Sequence, residues 1–178
     1  RIILIGNGFD LAHGMETSYQ HFLNDYWANT IASIKEGQLN RPYENDEFTL
    51  DKCPSGFISG ETYKDLEKTL ISHKTQINYK NRFLKILTDK YYLENWVDVE
   101  NEYYNLLKKA YNKEKYPKND YDVKSLNTDF ESVKNKLGTY LKGVEKIFNE
   151  NLGSEYLRTK NIIGHKIYRP FKLKDFSE

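Results

Sequence analysis

The sequence predicts a helix-rich α/β fold, and three observations lead to that prediction. Residues 2–5 form a short apolar run, rich in β-branched side chains, of the kind that a buried parallel strand contains. A glycine-rich turn follows directly, and most of the later chain carries apolar residues at helical spacing. A single parallel strand cannot pair its own backbone groups, so the tail, residues missing from this chain or a partner must complete the sheet. We expect the sheet to be incomplete within this chain, as in a fragment of a longer protein.

Local patterns divide the chain into four predicted segments. Apolar residues recur at helical spacing from Tyr19 onward, with Thr17 or Ser18 as a start signal and Gly37 as a stop signal, which predicts a helix. The next stretch is polar and holds several glycines and prolines, which predicts a long loop. The segments are a strand–loop–helix unit, a long loop, a helical insertion and a tail with short strands, at residues 1–36, 37–60, 61–151 and 152–178.

The predicted insertion contains three helical patterns. Residues 62–89 carry the first, which includes Ile77 and has a break in its middle. Asn95 is placed to cap the second helix, and residues 122–151 carry the third. In the tail, residues 161–164 and 167–170 favour one or two short strands.

Composition excludes several classes of function. The chain has 178 residues and a formal net charge of +1, so it offers no bulk field that would attract nucleic acid or an anionic membrane. No apolar run approaches the ~20 residues of a membrane-spanning helix. Cys53 is the single cysteine, which excludes an intrachain disulfide and a cysteine-based zinc site. We therefore expect a soluble, cytoplasmic protein without general nucleic-acid binding.

The glycine-rich turn at residues 6–14 is the most informative segment. A buried strand that enters a Gly-x-Gly turn and then a helix directs free backbone N–H groups toward a phosphate. The common dinucleotide motif has its third glycine three residues after the second, whereas here Gly14 follows Gly8 by six. Two interpretations stay open: a phosphate-binding turn, or a tight turn whose glycines serve packing alone.

Asp10 and His13 lie three residues apart and would share one helix face. Such a pair can perform acid–base chemistry, because imidazole titrates near neutral pH. Beside a bound phosphate, the Asp10 carboxylate would meet ribose hydroxyls, a metal or a base. The alternatives are a helix cap for Asp10 and a surface ion pair for both residues.

Glu100 is a third candidate site residue. It lies four residues after Trp96, so both fall on one helical face, and we expect Glu100 to be drawn toward the packed side. A carboxylate held there is costly unless it is paired or functional, which favours a role in a site. We expect Asp98 to be solvated, and nothing in the sequence marks Cys53 as a nucleophile.

Residues 3–19 form a long and specific motif. Their sequence is Ile-Leu-Ile-Gly-Asn-Gly-Phe-Asp-Leu-Ala-His-Gly-Met-Glu-Thr-Ser-Tyr, and Phe22 follows. This run resembles the opening of AbiH-like bacteriophage abortive-infection proteins, which usually have Leu-Pro where this chain has Met15 and Glu16. Further similar positions lie downstream, at residues 96–100 (Trp-Val-Asp-Val-Glu), Tyr103, Tyr104, Tyr140 and Leu141.

The same run is similar in layout to the opening of sirtuin-like enzymes, Gly-Ala-Gly-x-Ser followed by Gly-Ile-Pro-x-Phe. This resemblance implies a Rossmann-like fold and a binding site for NAD or another nucleotide. It implies loop residues that would face the pyrophosphate and later residues near the ribose or nicotinamide. The loop residues are Gly6, Asn7 and Gly8, with Phe9 and Gly14 beside them, and the later residues are Thr17, Tyr19 and Phe22.

Three hypotheses for function follow. The first is a phage-defence protein that binds a nucleotide, with NAD as the first candidate, and hydrolyses it in a further step. The second is a non-catalytic sensor or interaction module of a defence system that recognises a phage or host trigger. The third is a metal-assisted hydrolase that uses Asp10, His13 and Glu100. A homo-oligomer is compatible with all three.

Overall fold

The computed structural model describes residues 7–11, 14–90, 96–112, 116, 120–150, 157–158 and 161–162. The strands predicted at residues 2–5 and 167–170 lie outside these residues. Helices account for most of the described chain, and three short strands form a small sheet.

The helices and strands alternate irregularly along the described chain. The helices are α1 (Asn7–Leu11), α2 (Tyr19–Glu36), α3 (Tyr63–Ser72), α4 (Arg82–Asp89), α5 (Trp96–Tyr111) and α6 (Val123–Glu150). The strands are β1 (Tyr43–Glu44), β2 (Phe48–Leu50) and β3 (Ile77–Tyr79). Residues 161–162 are helical, so the strand predicted at residues 161–164 is wrong at its first two positions.

The described sheet is antiparallel, with the strand order β1-β2-β3. Tyr43 pairs with Leu50 between β1 and β2, and Phe48 pairs with Tyr79 between β2 and β3. A Rossmann-like sheet is parallel, and its strands are joined by helical crossovers. The helix-rich α/β class is therefore confirmed, whereas the Rossmann-like part of the prediction is not.

Residues 37–60 do not form the single long loop that the sequence predicts, because β1 and β2 lie within them. The Asn45 side-chain oxygen accepts hydrogen bonds from the backbone N–H groups of Glu47 and Phe48, both at 2.9 Å, and these bonds fix the turn between the strands. Phe48 and Leu50 are buried, and Thr49 between them is less so. Strands of two and three residues are too short for this alternation to be recognised among glycines and prolines.

The helical pattern over residues 62–89 is interrupted by β3, so the prediction that Ile77 lies in a helix is wrong. Helix α3 ends at Ser72, and the φ of 52° at Lys74 then turns the chain. Helix α4 starts afresh, with the Asn81 side chain accepting a hydrogen bond from the Leu84 N–H at 2.7 Å. Ile77 matches the helical spacing, yet it lies in the sheet, and its side chain packs against the hydrophobic cluster that the sheet forms with α2 and α3.

Helix α2 begins and ends as the sequence predicts. The Ser18 hydroxyl accepts a hydrogen bond from the His21 N–H at 3.2 Å, which caps the first turn. At the other end, the Gly37 N–H donates to the Ile34 carbonyl at 3.0 Å. A Cβ atom at Gly37 would lie 2.9 Å from the Cys53 sulfur, so the loop that carries Cys53 can pass close only because this residue is glycine.

Helix α2 also joins two hydrophobic clusters. Tyr19, Phe22 and Leu23 in its first half pack with α4, α5 and α6. Trp27 and Ile31 in its second half pack with the sheet and α3. Within the described residues, no helix is both long and apolar enough to cross a membrane.

Candidate functional site

The predicted glycine-rich turn lies partly within helix α1. Asn7, Gly8 and Phe9 form the first residues of this helix, and Asp10 follows half-buried. Gly6 and His13 lie outside the described residues. The chain is therefore already helical at Asn7, whereas a long phosphate-binding loop would become helical further along the sequence.

Gly8 is exposed to solvent on helix α1. A Cβ atom at this position would meet no atom of the described residues within 4 Å, and the backbone here is helical. Neither packing within the described chain nor the backbone conformation therefore requires a glycine at position 8. As far as the described residues go, this argues against the interpretation that Gly8 serves packing.

Gly14 has a different reason to be glycine. Its φ is 74°, in the left-handed region that costs other residues ~1–2 kcal/mol. The Gly14 N–H donates to the Leu11 carbonyl and the Met15 N–H donates to the Asp10 carbonyl, both at 3.0 Å. This hydrogen-bond pattern ends helix α1 with a cap residue in the left-handed conformation, and the chain then turns toward α2.

The predicted ribose or nicotinamide contacts lie deeper in the fold. Thr17, Tyr19 and Phe22 are exposed by only 6%, 1% and 2%, respectively. The Tyr19 hydroxyl donates to the Leu87 carbonyl at 2.9 Å, and burial raises the pKa of this phenol. Tyr19 thus has a packing role in the cluster with α4, whereas Phe22 also reaches the wall of a surface groove.

This groove, called the α2–α6 groove below, lies between the Glu16 segment, helix α2 and helix α6. Its volume is about 640 Å³, and it continues into a cavity of about 300 Å³ between Gly14–Glu16 and the end of α6. The residues on its wall that bear on its chemistry are Phe22, Tyr26, Thr30, Lys136, Tyr140 and Gly143. The groove therefore begins where the glycine-rich turn ends.

Tyr140 of α6 holds the end of the turn against the groove. Its hydroxyl donates to the Glu16 carbonyl at 2.6 Å, and its ring centroid lies 5.9 Å from that of Phe22. Burial, together with the nearby carboxylates of Glu16 and Asp25, raises the pKa of Tyr140 to about 12. The phenol therefore stays protonated and remains a hydrogen-bond donor at neutral pH.

A buried carboxylate pairs with the lysine of the groove wall. The Glu47 side chain is 3% exposed, and one of its oxygens accepts from the Ser132 hydroxyl at 2.6 Å and from the Lys136 ammonium at 2.8 Å. Its second oxygen is buried and has no hydrogen-bond partner among the described residues. The Tyr26 hydroxyl is buried as well, and it interacts with the side chain of Thr30. Burial, and then the Glu47 charge, raise the pKa of Tyr26.

Glu100 does not lie where the sequence predicts. It is exposed, whereas Asp98, which we expect to be solvated, is half-buried. The reason is the phase of α5: Val99, Tyr103 and Leu106 face the core, and Glu100 points away from that stripe. Among the described residues no cluster of His, Cys, Asp or Glu could hold a metal ion, and His13 lies outside them.

Comparison with known protein families decides the family of this chain. Residues 2–170 match the model of the family described as bacteriophage abortive infection AbiH. The chain belongs to the AbiH family. No curated protein and no solved structure matched it. The matched range of this AbiH chain includes the glycine-rich turn, every described helix through α6 and the α2–α6 groove.

Sequence reasoning misses several groove residues of the AbiH chain. The helical pattern assigns Tyr26 only to an apolar face, and Glu47 falls within the predicted loop. No local signal links Glu47 to its partner Ser132, which lies 85 residues away. Gly143 offers a weak signal. Glycine inside a predicted helix lowers helix stability, so its presence there indicates a packing or functional role.

Proposed function

We propose that this AbiH chain acts in abortive infection by binding a nucleotide, with NAD as the first candidate, at the glycine-rich turn of residues 6–14. Gly8 carries the proposal. Glycine in a helix costs about 0.5–1 kcal/mol relative to alanine, and nothing in the described chain compensates for that cost at this position. A ligand that approaches the backbone closely gives glycine a reason to be there.

The chemistry of the turn fits a phosphate group followed by a ribose. The first N–H groups of any helix have no partner within that helix and suit a phosphate oxygen. Asp10 lies half-buried in the same short helix, and its carboxylate would accept hydrogen bonds from ribose hydroxyls. The alternative is a non-catalytic sensor whose turn is filled by the protein's own side chains. It is less favoured, because no atom of the described residues lies within 4 Å of the Gly8 Cβ position.

Hydrolysis of the bound nucleotide is the second step of the proposal. For NAD, water would add to the anomeric carbon of the nicotinamide riboside, the glycosidic bond to nicotinamide would break, and ADP-ribose, nicotinamide and one proton would form. In this proposal Asp10, a half-buried carboxylate of the same short helix, takes up that proton. Chromatography of NAD incubated with the full chain and with Asp10→Asn measures this step separately from binding.

A thermal-shift series tests nucleotide binding. We expect NAD, ADP-ribose or ATP, at about one hundred times its Kd, to stabilise the full chain by roughly 3 kcal/mol, which is about 5–10 °C. Gly8→Val should abolish the shift without lowering the stability of the free protein, because valine is the better helix former. Asn7→Ala should weaken the shift.

Gly138→Val is the matched control, since Gly138 is also helical, with open space around its Cβ position, but lies in α6. It should keep the full nucleotide shift. The proposal is wrong if no nucleotide of the panel stabilises the chain, or if Gly8→Val responds as well as Gly138→Val.

A further inference from the structure

We propose that the second half of helix α5 binds single-stranded nucleic acid, with Lys108 and Lys109 on its phosphates and Tyr104 and Tyr111 against its bases. This surface is called the α5 surface below, and it consists of these four residues and Asn105. The inference goes beyond the proposed function, because the surface lies on a different helix from the glycine-rich turn and takes a polymer.

Basic residues are concentrated in this part of a nearly neutral chain. Residues 103–119 hold five lysines and a single glutamate, whereas the whole chain has a formal net charge of +1. A local cluster of lysines is the electrostatic feature by which a nucleic-acid site is recognised. The balanced composition therefore argues against binding over the whole surface of the protein, but it leaves room for binding at this one face.

Lys108 and Lys109 are exposed and lie in the last turn of α5. Within the described part of the chain, neither ammonium group forms an ion pair with a carboxylate. Their charges also offset the negative end of the helix dipole, which would otherwise repel a phosphate. Each ammonium group can therefore attract one phosphate of a strand.

Two tyrosines beside these lysines present their rings to solvent. Tyr104 is 58% exposed and Tyr111 is 85% exposed. Tyr104, Lys108 and Tyr111 are spaced by four and three residues, so they lie along one face of α5, with about 10 Å along the helix axis between the two tyrosines. The Lys108 ammonium lies 4.3 Å from the centre of the Tyr104 ring. Aromatic rings next to cations form the kind of surface on which single-stranded bases stack.

A cleft of about 770 Å³ runs beside the lysines, between the end of α4 and the last turns of α5. The wall residues that bear on binding are Lys90, Glu102, Asn105, Lys108, Lys109 and Tyr111. The Glu102 carboxylate is paired with the Lys90 ammonium, so its charge is compensated. The Asn105 amide can both donate and accept hydrogen bonds, as the edge of a base requires. The cleft therefore suits a negatively charged strand with exposed bases.

An anionic membrane also attracts lysines and is the main alternative ligand. A helix that binds a membrane buries a face of aliphatic and aromatic side chains in the lipid. In α5, however, Leu106 and Leu107 are partly buried and pack against the core, so the face that carries the lysines has tyrosines rather than aliphatic residues. This composition favours stacking on bases over insertion into lipid.

Fluorescence anisotropy of labelled strands mixed with the full chain tests the inference. The probes are oligo(U) and oligo(dT) of about 16 nucleotides. We expect dissociation constants of about 1–100 μM, with tighter binding at lower salt. A preference for oligo(U) would identify RNA as the ligand and a preference for oligo(dT) would identify DNA, and either result supports the inference.

Two α5 variants locate the binding site. Tyr111→Ala should weaken binding at least about fivefold, because one stacked base is lost. The double variant Lys108→Gln with Lys109→Gln should also weaken binding. It should make the slope of log K against log salt shallower by about 1.4, because each phosphate contact on a single strand contributes ~0.7.

Matched variants outside the α5 surface control for unrelated effects. Phe57→Ala removes another ring that is 53% exposed, from the segment between β2 and α3. The double variant Lys142→Gln with Lys146→Gln removes two exposed lysines from α6. Both controls should keep the affinity and the salt dependence of the unaltered chain. Gly8→Val, which should lose nucleotide binding, should also keep strand binding.

Loss of affinity in both α5 variants, together with its retention in the controls, supports the α5 surface. The inference is overturned if neither strand binds, or if either α5 variant binds strands as the unaltered chain does. Loss in the lysine variant alone would mean that the surface attracts anions in general. Phosphatidylserine vesicles test the membrane alternative: the inference is also overturned if they bind the full chain, lose binding in both α5 variants and are not displaced by oligo(U) or oligo(dT).

Discussion

At the scale of single residues, the two described glycines of the turn differ in what requires them. Gly14 adopts a φ of 74° and reverses the chain after α1, so its reason lies in the backbone. Gly8 has a helical backbone and open space around its Cβ position, so what requires a glycine there lies outside the described chain. The same residue type in one motif thus carries a structural role at one position and a proposed binding role at the other.

Alanine substitutions should separate these roles. Gly14→Ala should lower the free energy of unfolding by ~1–2 kcal/mol, because alanine pays for the left-handed conformation. Gly8→Ala should leave it unchanged or raise it by up to about 1 kcal/mol, because alanine favours the helix. Urea unfolding monitored by circular dichroism measures both. Equal losses in the two variants would contradict the distinction.

At the scale of elements, helix α6 connects the turn, the sheet and the groove. Tyr140 reaches the Glu16 carbonyl near the turn, and Lys136 and Ser132 reach Glu47 in the turn before β2. The Asp129 carboxylate also accepts from the Tyr121 hydroxyl at 2.6 Å and from the Arg82 N–H at 2.8 Å at the start of α4. One helix therefore fixes the relative positions of segments that are distant in sequence.

The ion pair between α6 and Glu47 should be important for stability. Lys136→Met should destabilise the fold by about 3 kcal/mol, because it leaves a buried carboxylate without its counter-ion. The double variant Glu47→Gln with Lys136→Met should recover most of that loss. Lys134→Met is the control on the same helix: its partner Glu131 is half exposed, so the expected loss is below about 1 kcal/mol. Similar losses in both single variants, measured by chemical unfolding, would count against this account.

At the scale of the whole molecule, buried tyrosines make the free energy of unfolding depend on pH in the alkaline range. Burial is the largest cause of the raised pKa at every one of these phenols. They are Tyr19, Tyr26, Tyr63, Tyr79, Tyr121 and Tyr140. In the unfolded chain a tyrosine titrates near pH 10, so the unfolded state loses these protons first. The stability that these phenols contribute is therefore complete below about pH 10 and is lost as the pH rises further.

Tyr140 should contribute to this loss between about pH 10 and about pH 12. We expect Tyr140→Phe to flatten the fall of the unfolding free energy across that interval, because one fewer proton is released on unfolding. Urea midpoints measured at increasing pH, with tyrosinate absorbance as a second signal, provide the test. Tyr111→Phe is the control, since this side chain is 85% exposed. An unchanged slope in Tyr140→Phe would contradict the expectation.

Sequence patterns predict the long helices of this chain well and its short strands poorly. Helix α2 has a cap at Ser18, a stop at Gly37 and an apolar face of several turns, so each of its signals is local. Strands β1, β2 and β3 have two or three residues, and β3 even matches the spacing of its helical neighbours. Glu100 shows the same limit, because the choice between two adjacent faces of α5 depends on what the helix packs against.

The sequence by itself determined the AbiH family resemblance, the helical character and the glycine-rich turn, because each is written in residues close together along the chain. The tertiary structure alone decided that Tyr19 lies in the core, that Glu100 is exposed and that Tyr26, Lys136 and Tyr140 surround one groove. It also placed Glu47 beside Ser132, 85 positions later. The physical reason is that burial and pairing of these side chains depend on contacts between distant segments, and such contacts form only when the helices and the sheet pack together.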